Sequence, residues 1–335
     1  MVSLPRTART LVTVAALGSL LACGGSPQPP APEEPEGGTR TVEAANGPVE
    51  IPATPHRIAV LWRPTLAAVT LLGHDVVATM GTPGGEDQGL APFLPEGADG
   101  GGHALVTNSP SEEDVDVEEL ANAAPDLIIG VSTPVGAQAD MLESLEAIAP
   151  TVLLEWEGTG SWRGHLDEVA GVLDASEEAG RALEAYEEAV ASARGDIEAA
   201  GVDPAATELS LVRLQSGSEI RLETAESFPG QVVDDLGFAR PEGQLEGEGP
   251  SDYIAQSYEN LDRADGDAVF VMAGSGYPDA PRTFSEGVWS NLDAVREEAV
   301  YRVDHDHWGA ANHYAALRIV EDVRAALTGE AEPAL

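Results

Sequence analysis

Lysine is absent from the 335-residue chain, and aromatic residues make up only 5% of it. All 17 basic residues are arginine and 58 residues are acidic, so the net charge is −41. So few cations leave no basic stripe to meet a phosphate backbone, which excludes a nucleic-acid binder. The missing lysine excludes a Walker-type phosphate loop as well. Cysteine occurs once, at Cys23, so the folded part has no internal disulfide and depends on its core. At roughly 290 residues beyond the N-terminal region, the chain is long enough to build that core as two lobes. The acidity reads as a solubility device suited to brine.

Long apolar runs are also missing, apart from Leu11 to Leu21 behind Arg6 and Arg9. That run is too short to span a bilayer stably, and its basic head and small-residue junction mark an export signal. The stretch Leu20-Leu21-Ala22-Cys23-Gly24 resembles the lipobox of bacterial lipoproteins. The resemblance implies cleavage after residue 22 and lipidation of Cys23. The remainder would then stand at −43, because the first 22 residues hold two arginines and no acid. Residues 23–40, with GGSPQPPAPEEPEGG, have the composition of a disordered tether that cannot bury a core.

Beyond the tether, RTVEAANGPVEIPATPHR reads as a polar lead-in, and then a strand–helix rhythm begins. RIAVL is a buried strand, PTLAAVTLLG a helix opened by Pro64 and closed by Gly73, and DVVATM a strand. VEELANAAPDLIIG and AQADMLESLEAIAPTVLLEW repeat the unit, which argues for a parallel sheet covered by helices. From Ser161 helix takes over. The run SEEAGRALEAYEEAVASARGDIEAAG has Ser176 as its expected N-cap, acids in its first turn and Gly201 at its end. The rhythm then resumes through ELSLVRL, EIRLE, SFPGQVVDDLG, DAVFVMAG, AVYRVD and a closing helix. Glu118-Glu119-Leu120 precedes Asp126-Leu127-Ile128-Ile129 by the spacing that separates Glu259-Asn260-Leu261 from Asp267-Ala268-Val269-Phe270. That echo suggests two pseudo-symmetric halves.

From Thr41 to Gly329 the chain resembles the substrate-binding lipoproteins of ABC importers for ferric siderophores, relatives of the vitamin B12 binder. The resemblance is carried by IPATPHRIAVLWRPTLAAVTLLG, VEELANAAPDLIIG, LEAIAPTVLLEWEGTGSWRGHLDEVAGVLD, SFPGQVVDDLGFARPE and VWSNLDAVREEAVYRVDHDHW, in that order. It implies an α/β fold of two Rossmann-like lobes with parallel-type sheets, residues 41–174 and 202–335, joined by one long rigid helix over 175–201. Cargo would lie between the lobes, at the carboxyl ends of the strands, where open α/β sheets place ligands in general. The residues to expect there are Trp62, Arg63, His103, Thr107 to Ser111, Ser132 to Pro134, Trp162, Arg163, Arg213, Gln215, Arg221, Tyr277 and Trp308. A cleft arginine would bond to chelate oxygens, and an aromatic ring would offer a broad rigid surface. Packing explains the three tryptophans equally well, and neutralisation of neighbouring carboxylates explains the arginines.

By the same resemblance, Glu118 and Glu259 present one acid per lobe to arginines of the permease. The protein would be a monomer held to the membrane by its lipid alone, with no cofactor beyond the iron chelate it carries. Scarce arginine in an acidic field favours a neutral or cationic hydroxamate chelate over a triply anionic catecholate. Cobalamin, heme or a bare zinc or manganese ion remain alternative cargoes in the same fold. Asp304-His305-Asp306-His307, with His313, invites a metal, but a cluster on one loop reads better as a solvated acidic turn. A hydrolase finds no nucleophile elbow, since Gly274-Ser275-Gly276 falls short of one. A purely structural envelope protein is the other rival.

Overall fold

The computed structural model describes residues 38–81, 87–98, 102–106, 115–133, 137–214, 219–245, 252–273 and 287–334. Cys23, the signal and the tether up to residue 37 lie outside these residues, and so do Thr107 to Ser111, Pro134, Gln215 and Tyr277; the expected tether to residue 40 ends sooner, because Thr39 and Arg40 already belong to a strand. No helix among the described residues is long and apolar enough to cross a membrane.

The segment read as a polar lead-in is a hairpin. β1 (Thr39–Ala44) pairs antiparallel with β2 (Gly47–Pro52). At its tip Asn46 Nδ2 donates to the Thr151 carbonyl at 2.9 Å, and Asn46 Oδ1 accepts from Leu153 N–H at 3.0 Å. The hairpin thereby satisfies the outer edge of a strand that would otherwise be open to pairing with another chain.

The first lobe is a sheet of β3 (Ile58–Val60), β4 (Val76–Thr79), β5 (Ala104–Leu105), β6 (Leu127–Ser132) and β7 (Thr151–Glu155). Their order is β5-β4-β3-β6-β7, every pair parallel. β3, β6 and β7 are apolar almost throughout because helices cover both faces. Between the strands run α1 (Arg63–Leu71), α2 (Val117–Asn122) and α3 (Leu142–Glu146). α4 (Trp162–Leu173) leaves the sheet toward the second lobe.

The second lobe repeats the order with β8 (Leu209–Leu214), β9 (Glu219–Glu223), β10 (Tyr253–Ser257), β11 (Ala268–Met272) and β12 (Val300–Val303), arranged β10-β9-β8-β11-β12. Here the expectation of parallel-type sheets holds for only half the sheet. β8, β11 and β12 run parallel, but β9 is antiparallel to both β8 and β10. Only residues 215–218 separate β8 from β9, too few for the dozen-residue crossover that parallel neighbours need. The echo in the sequence corresponds to equal places in the two sheets: α2 leads into β6, and the 3₁₀ segment Tyr258–Ala264 leads into β11. That second segment is a 3₁₀ turn interrupted at Asn260, where the first is a short α-helix.

The lobes are joined by α5 (Ser176–Ala199), 24 residues and about 36 Å long at the usual rise. Its buried stripe, Ala179, Tyr186, Val190, Ala193 and Ile197, recurs at helical spacing. The expected cap differs: Ala175 is the N-cap and Ser176 is already helical, with no side-chain cap bond. Gly201 adopts φ +92° just past the end, the left-handed conformation that glycine takes at low cost. The C-terminal helix, His313–Leu327, packs along α5. One apolar cluster runs from the inner face of the first sheet through α4, α5 and this helix to Phe270 and Trp308 of the second lobe.

Candidate functional site

In both sheets the strand order switches sides between the central strands, β3 and β6 in one and β8 and β11 in the other, and at such switch points the crossovers diverge and leave a crevice. In the first lobe β3 leads through Leu61 to Trp62, which is the N-cap of α1. Trp62 is half-buried and meets Trp156, one residue past β7, edge to face with centroids 5.3 Å apart. Its indole Nε1 is buried and has no hydrogen-bond partner. Arg63 follows with its guanidinium 5.8 Å from the centre of the Phe93 ring. These four side chains form an aromatic floor with one cation beside it.

His103 is fixed by a 2.8 Å bond from Nδ1 to the Val76 carbonyl. A carbonyl only accepts, so Nδ1 carries a proton in this bond.

In the second lobe Arg213 and Arg221 stand directly opposite each other across β8 and β9. Arg213 Nε donates to the buried carboxylate of Glu223 at 2.7 Å. The Arg221 guanidinium covers the Tyr253 ring at 4.0 Å, and its Nε is buried without a hydrogen-bond partner. Arg240, to which no sequence motif points, is also buried; it donates to the Glu223 carbonyl and to Gln244 Oε1. Burial pushes its guanidinium down to about 10. Of these three arginines only Arg213 pairs with the buried Glu223 carboxylate; Arg240 takes the Glu223 backbone carbonyl and Arg221 the Tyr253 ring.

Other expected site residues are placed elsewhere. Trp308 is wholly buried, stacked on Phe270 with centroids 5.4 Å apart. Trp162 is 2% exposed, between Tyr186 and Phe228. Both are core residues: Trp162 opens α4, Trp308 closes the single turn His305–Trp308, and both rings are turned inward. Arg163 is engaged between lobes: it donates to Gln231 and pairs with Asp235, both on α6 (Phe228–Asp235). Its guanidinium lies over the rings of Trp162 and Tyr186, at 4.4 and 5.2 Å from their centroids. Tyr186 O–H also donates to Asp235, at 2.6 Å, and burial together with that bond pushes its phenol up.

This clasp ties α4, α5 and α6 together. Asp235→Asn is expected to cost about 1 kcal/mol in urea denaturation, since the pair is partly screened by solvent. Unchanged stability with a loss of ligand affinity would instead return Arg163 to the cleft. A second tie lies nearby, where Asp252 accepts from Thr159 Oγ1 at 2.7 Å and Thr159 Oγ1 accepts from Phe228 N–H at 3.2 Å.

Glu118 is exposed in the first turn of α2, which Asp116 caps, and Glu259 is exposed at the matching place before β11. Asp304 caps the single turn His305–Trp308 and accepts from His307 Nδ1 at 3.1 Å. The His307 contacts hold its carboxyl far below the usual carboxylate range. Among the described residues no three His, Cys, Asp or Glu side chains are grouped to hold a metal ion. An open groove lined by Arg40, Glu43, Glu155 and Glu168 lies on the flank of the first lobe, between β1, β7 and α4.

Two Rossmann-type lobes of equal strand order, spanned by one continuous helix, define a solute-binding protein of the helical-backbone kind. The periplasmic binding protein family matches residues 79–307, more than half of the chain, and the chain belongs to that family. The probable siderophore-binding lipoprotein YfiY of Bacillus subtilis is 29% identical over 314 residues, 90% of this chain and 92% of that protein. The iron(3+)-hydroxamate-binding protein FhuD of the same organism is 28% identical over 295 residues, covering 86% and 87%. Among solved structures, Staphylococcus aureus SirA complexed with staphyloferrin B superposes with a TM-score of 0.70 over 86% of this chain and 98% of that one, at 23% identity. The siderophore periplasmic binding protein from the fuscachelin gene cluster of Thermobifida fusca gives 0.65 over 83% and 98%, at 26% identity.

Proposed function

We propose that this chain is an extracytoplasmic lipoprotein that captures a ferric siderophore between its lobes and hands it, as a monomer, to an ABC importer. The observation that carries the reading is the Trp62–Trp156 pair at the switch point of the first sheet, in a fold whose relatives YfiY and FhuD are described as siderophore and iron–hydroxamate binders. In this reading the paired indoles give a bulky chelate an apolar seat, and Arg63 with Arg221 supplies donors to its outward oxygens. Cys23 carries the lipid, while Glu118 and Glu259 dock one lobe each on the permease. The iron stays in its chelate throughout, so no resident cofactor and no catalytic step are assigned. With so few cations, a hydroxamate chelate is the favoured cargo.

Quenching of tryptophan fluorescence tests this across ferric hydroxamate, catecholate and citrate complexes. The expected result is submicromolar affinity for a hydroxamate complex, weakened about tenfold or more by Trp62→Ala, equivalent to about 1.4 kcal/mol. Silence toward every chelate would overturn the reading. Tight binding of the catecholate alone would overturn its hydroxamate part.

A further inference from the structure

Two histidines that no step of cargo binding uses share one small cavity. It measures about 10 Å³ and lies where α1 and α4 of the first lobe meet Ala311–His313, the start of the C-terminal helix. His165 and His313 are 3% and 7% exposed, and each has a buried Nδ1 without a hydrogen-bond partner. His165 Nε2 bonds to Thr65 Oγ1 of α1 at 2.9 Å. The rest of the lining, from α1, α4 and Ala311–Asn312, holds no charged side chain. Tyr314 meets His313 edge to face at 6.0 Å, and burial keeps its phenol neutral by pushing it up. Among the described residues no carboxylate acts on either ring to stabilise a proton there. We propose that His165 and His313 form a proton-operated joint between the first lobe and the C-terminal helix, closed when both rings are neutral and loosened when they are charged.

An imidazolium in this cavity would be a buried charge with nothing to neutralise it, which costs far more than the neutral ring. Burial accordingly holds both histidines down to about 4. Where the joint opens, the rings regain water and an ordinary value near 6.5, so the open form binds more protons between those limits. Closure is therefore favoured above pH 6.5 and progressively lost as pH falls from 6.5 toward 4. Between pH 7 and 5.5 the opening equilibrium grows about eightfold for each histidine, or about sixtyfold for both. Trp156 stacks edge-on against His165 at 5.1 Å and against Trp62 beyond it, so the joint connects to the end of β3 through two ring contacts.

Hydrogen exchange of the full chain, corrected for the intrinsic pH dependence of the rates, tests the joint with nothing in the cleft. Protection across Arg63–Leu71, Trp162–Leu173 and His313–Leu327 is expected to fall about sixtyfold from pH 7 to 5.5, while β8 and β11 stay protected. His165→Gln and His313→Gln should each remove about an eightfold share of that fall. Nitrogen NMR of the imidazoles in the unaltered protein gives an answer that needs no variant: both rings should remain neutral at pH 5.5. Protection independent of pH, or either ring titrating near 6.5 in the folded protein, would overturn the proposal.

Discussion

Trp308→Ala is expected to lower the folding free energy by about 4 kcal/mol, a fall of roughly 10 °C in melting temperature for a chain of this size. The indole is 0% exposed and lies nearly parallel to Phe270, at 18°, while Phe270 stacks in turn on Tyr301 at 5.3 Å. Truncation would empty a volume enclosed on all sides and remove the middle of the cluster that joins the second sheet to the C-terminal helix. It would also take away the Nε1–H that donates to Asp322 at 2.9 Å, leaving that carboxylate to Arg318 alone. A tryptophan lining an open cleft behaves differently: its loss lowers affinity and leaves the melting temperature almost unchanged. Calorimetry on Trp308→Ala and Trp62→Ala side by side separates the two roles, and a thermally silent Trp308→Ala would remove Trp308 from the core.

Gly160→Ala should also be costly, by about 2–3 kcal/mol, although it adds only one methyl group. A Cβ at this position would lie 2.1 Å from the Glu226 carbonyl oxygen and 2.7 Å from Gln231 Nε2. The glutamine could swing away, but the carbonyl belongs to the turn that opens α6. The exit of the first lobe would therefore have to move off the second, straining the Thr159–Asp252 and Thr159–Phe228 bonds beside it. Guanidinium denaturation reads the loss, and faster exchange of the Phe228 and Gly230 amides would locate it. A variant as stable as the parent would mean that the lobes are not in contact at Gly160.

Most of the architecture could be read from the chain because its signals are local. RIAVL, DLIIG and TVLLE are short apolar runs between turn residues, and the long run from Ser176 is free of proline. The reversal of β9 was legible too, in the brevity of the four residues before it, but EIRLE alternates in the same way whichever direction it runs. Side-chain direction was harder. Trp62, Trp162 and Trp308 all stand at the junction of a strand or loop with a helix, and only the rotation of the adjoining helix decides which of them faces outward. Arg163 looked like a cleft cation because arginine is scarce, yet its partner Asp235 is 72 positions away and nothing local announces it. Trp156 was overlooked although it follows β7 as Trp62 follows β3, a parallel the sequence did contain. His165, Phe93 and Arg240 left no such trace, since their importance comes from what other elements bring against them.

The β1–β2 hairpin determines how the molecule takes mechanical load. Thr39 pairs with Pro52 at its open end, where the chain both enters from Gly38 and departs toward β3. Tension arriving through Gly38 therefore pulls the two strands apart in the unzipping direction, one rung after another toward Asn46, and does not shear the five-stranded sheets. If the chain is anchored through Cys23 as proposed, drag or thermal jostling would spend itself on this ladder, and the stacked interior behind it would keep its shape.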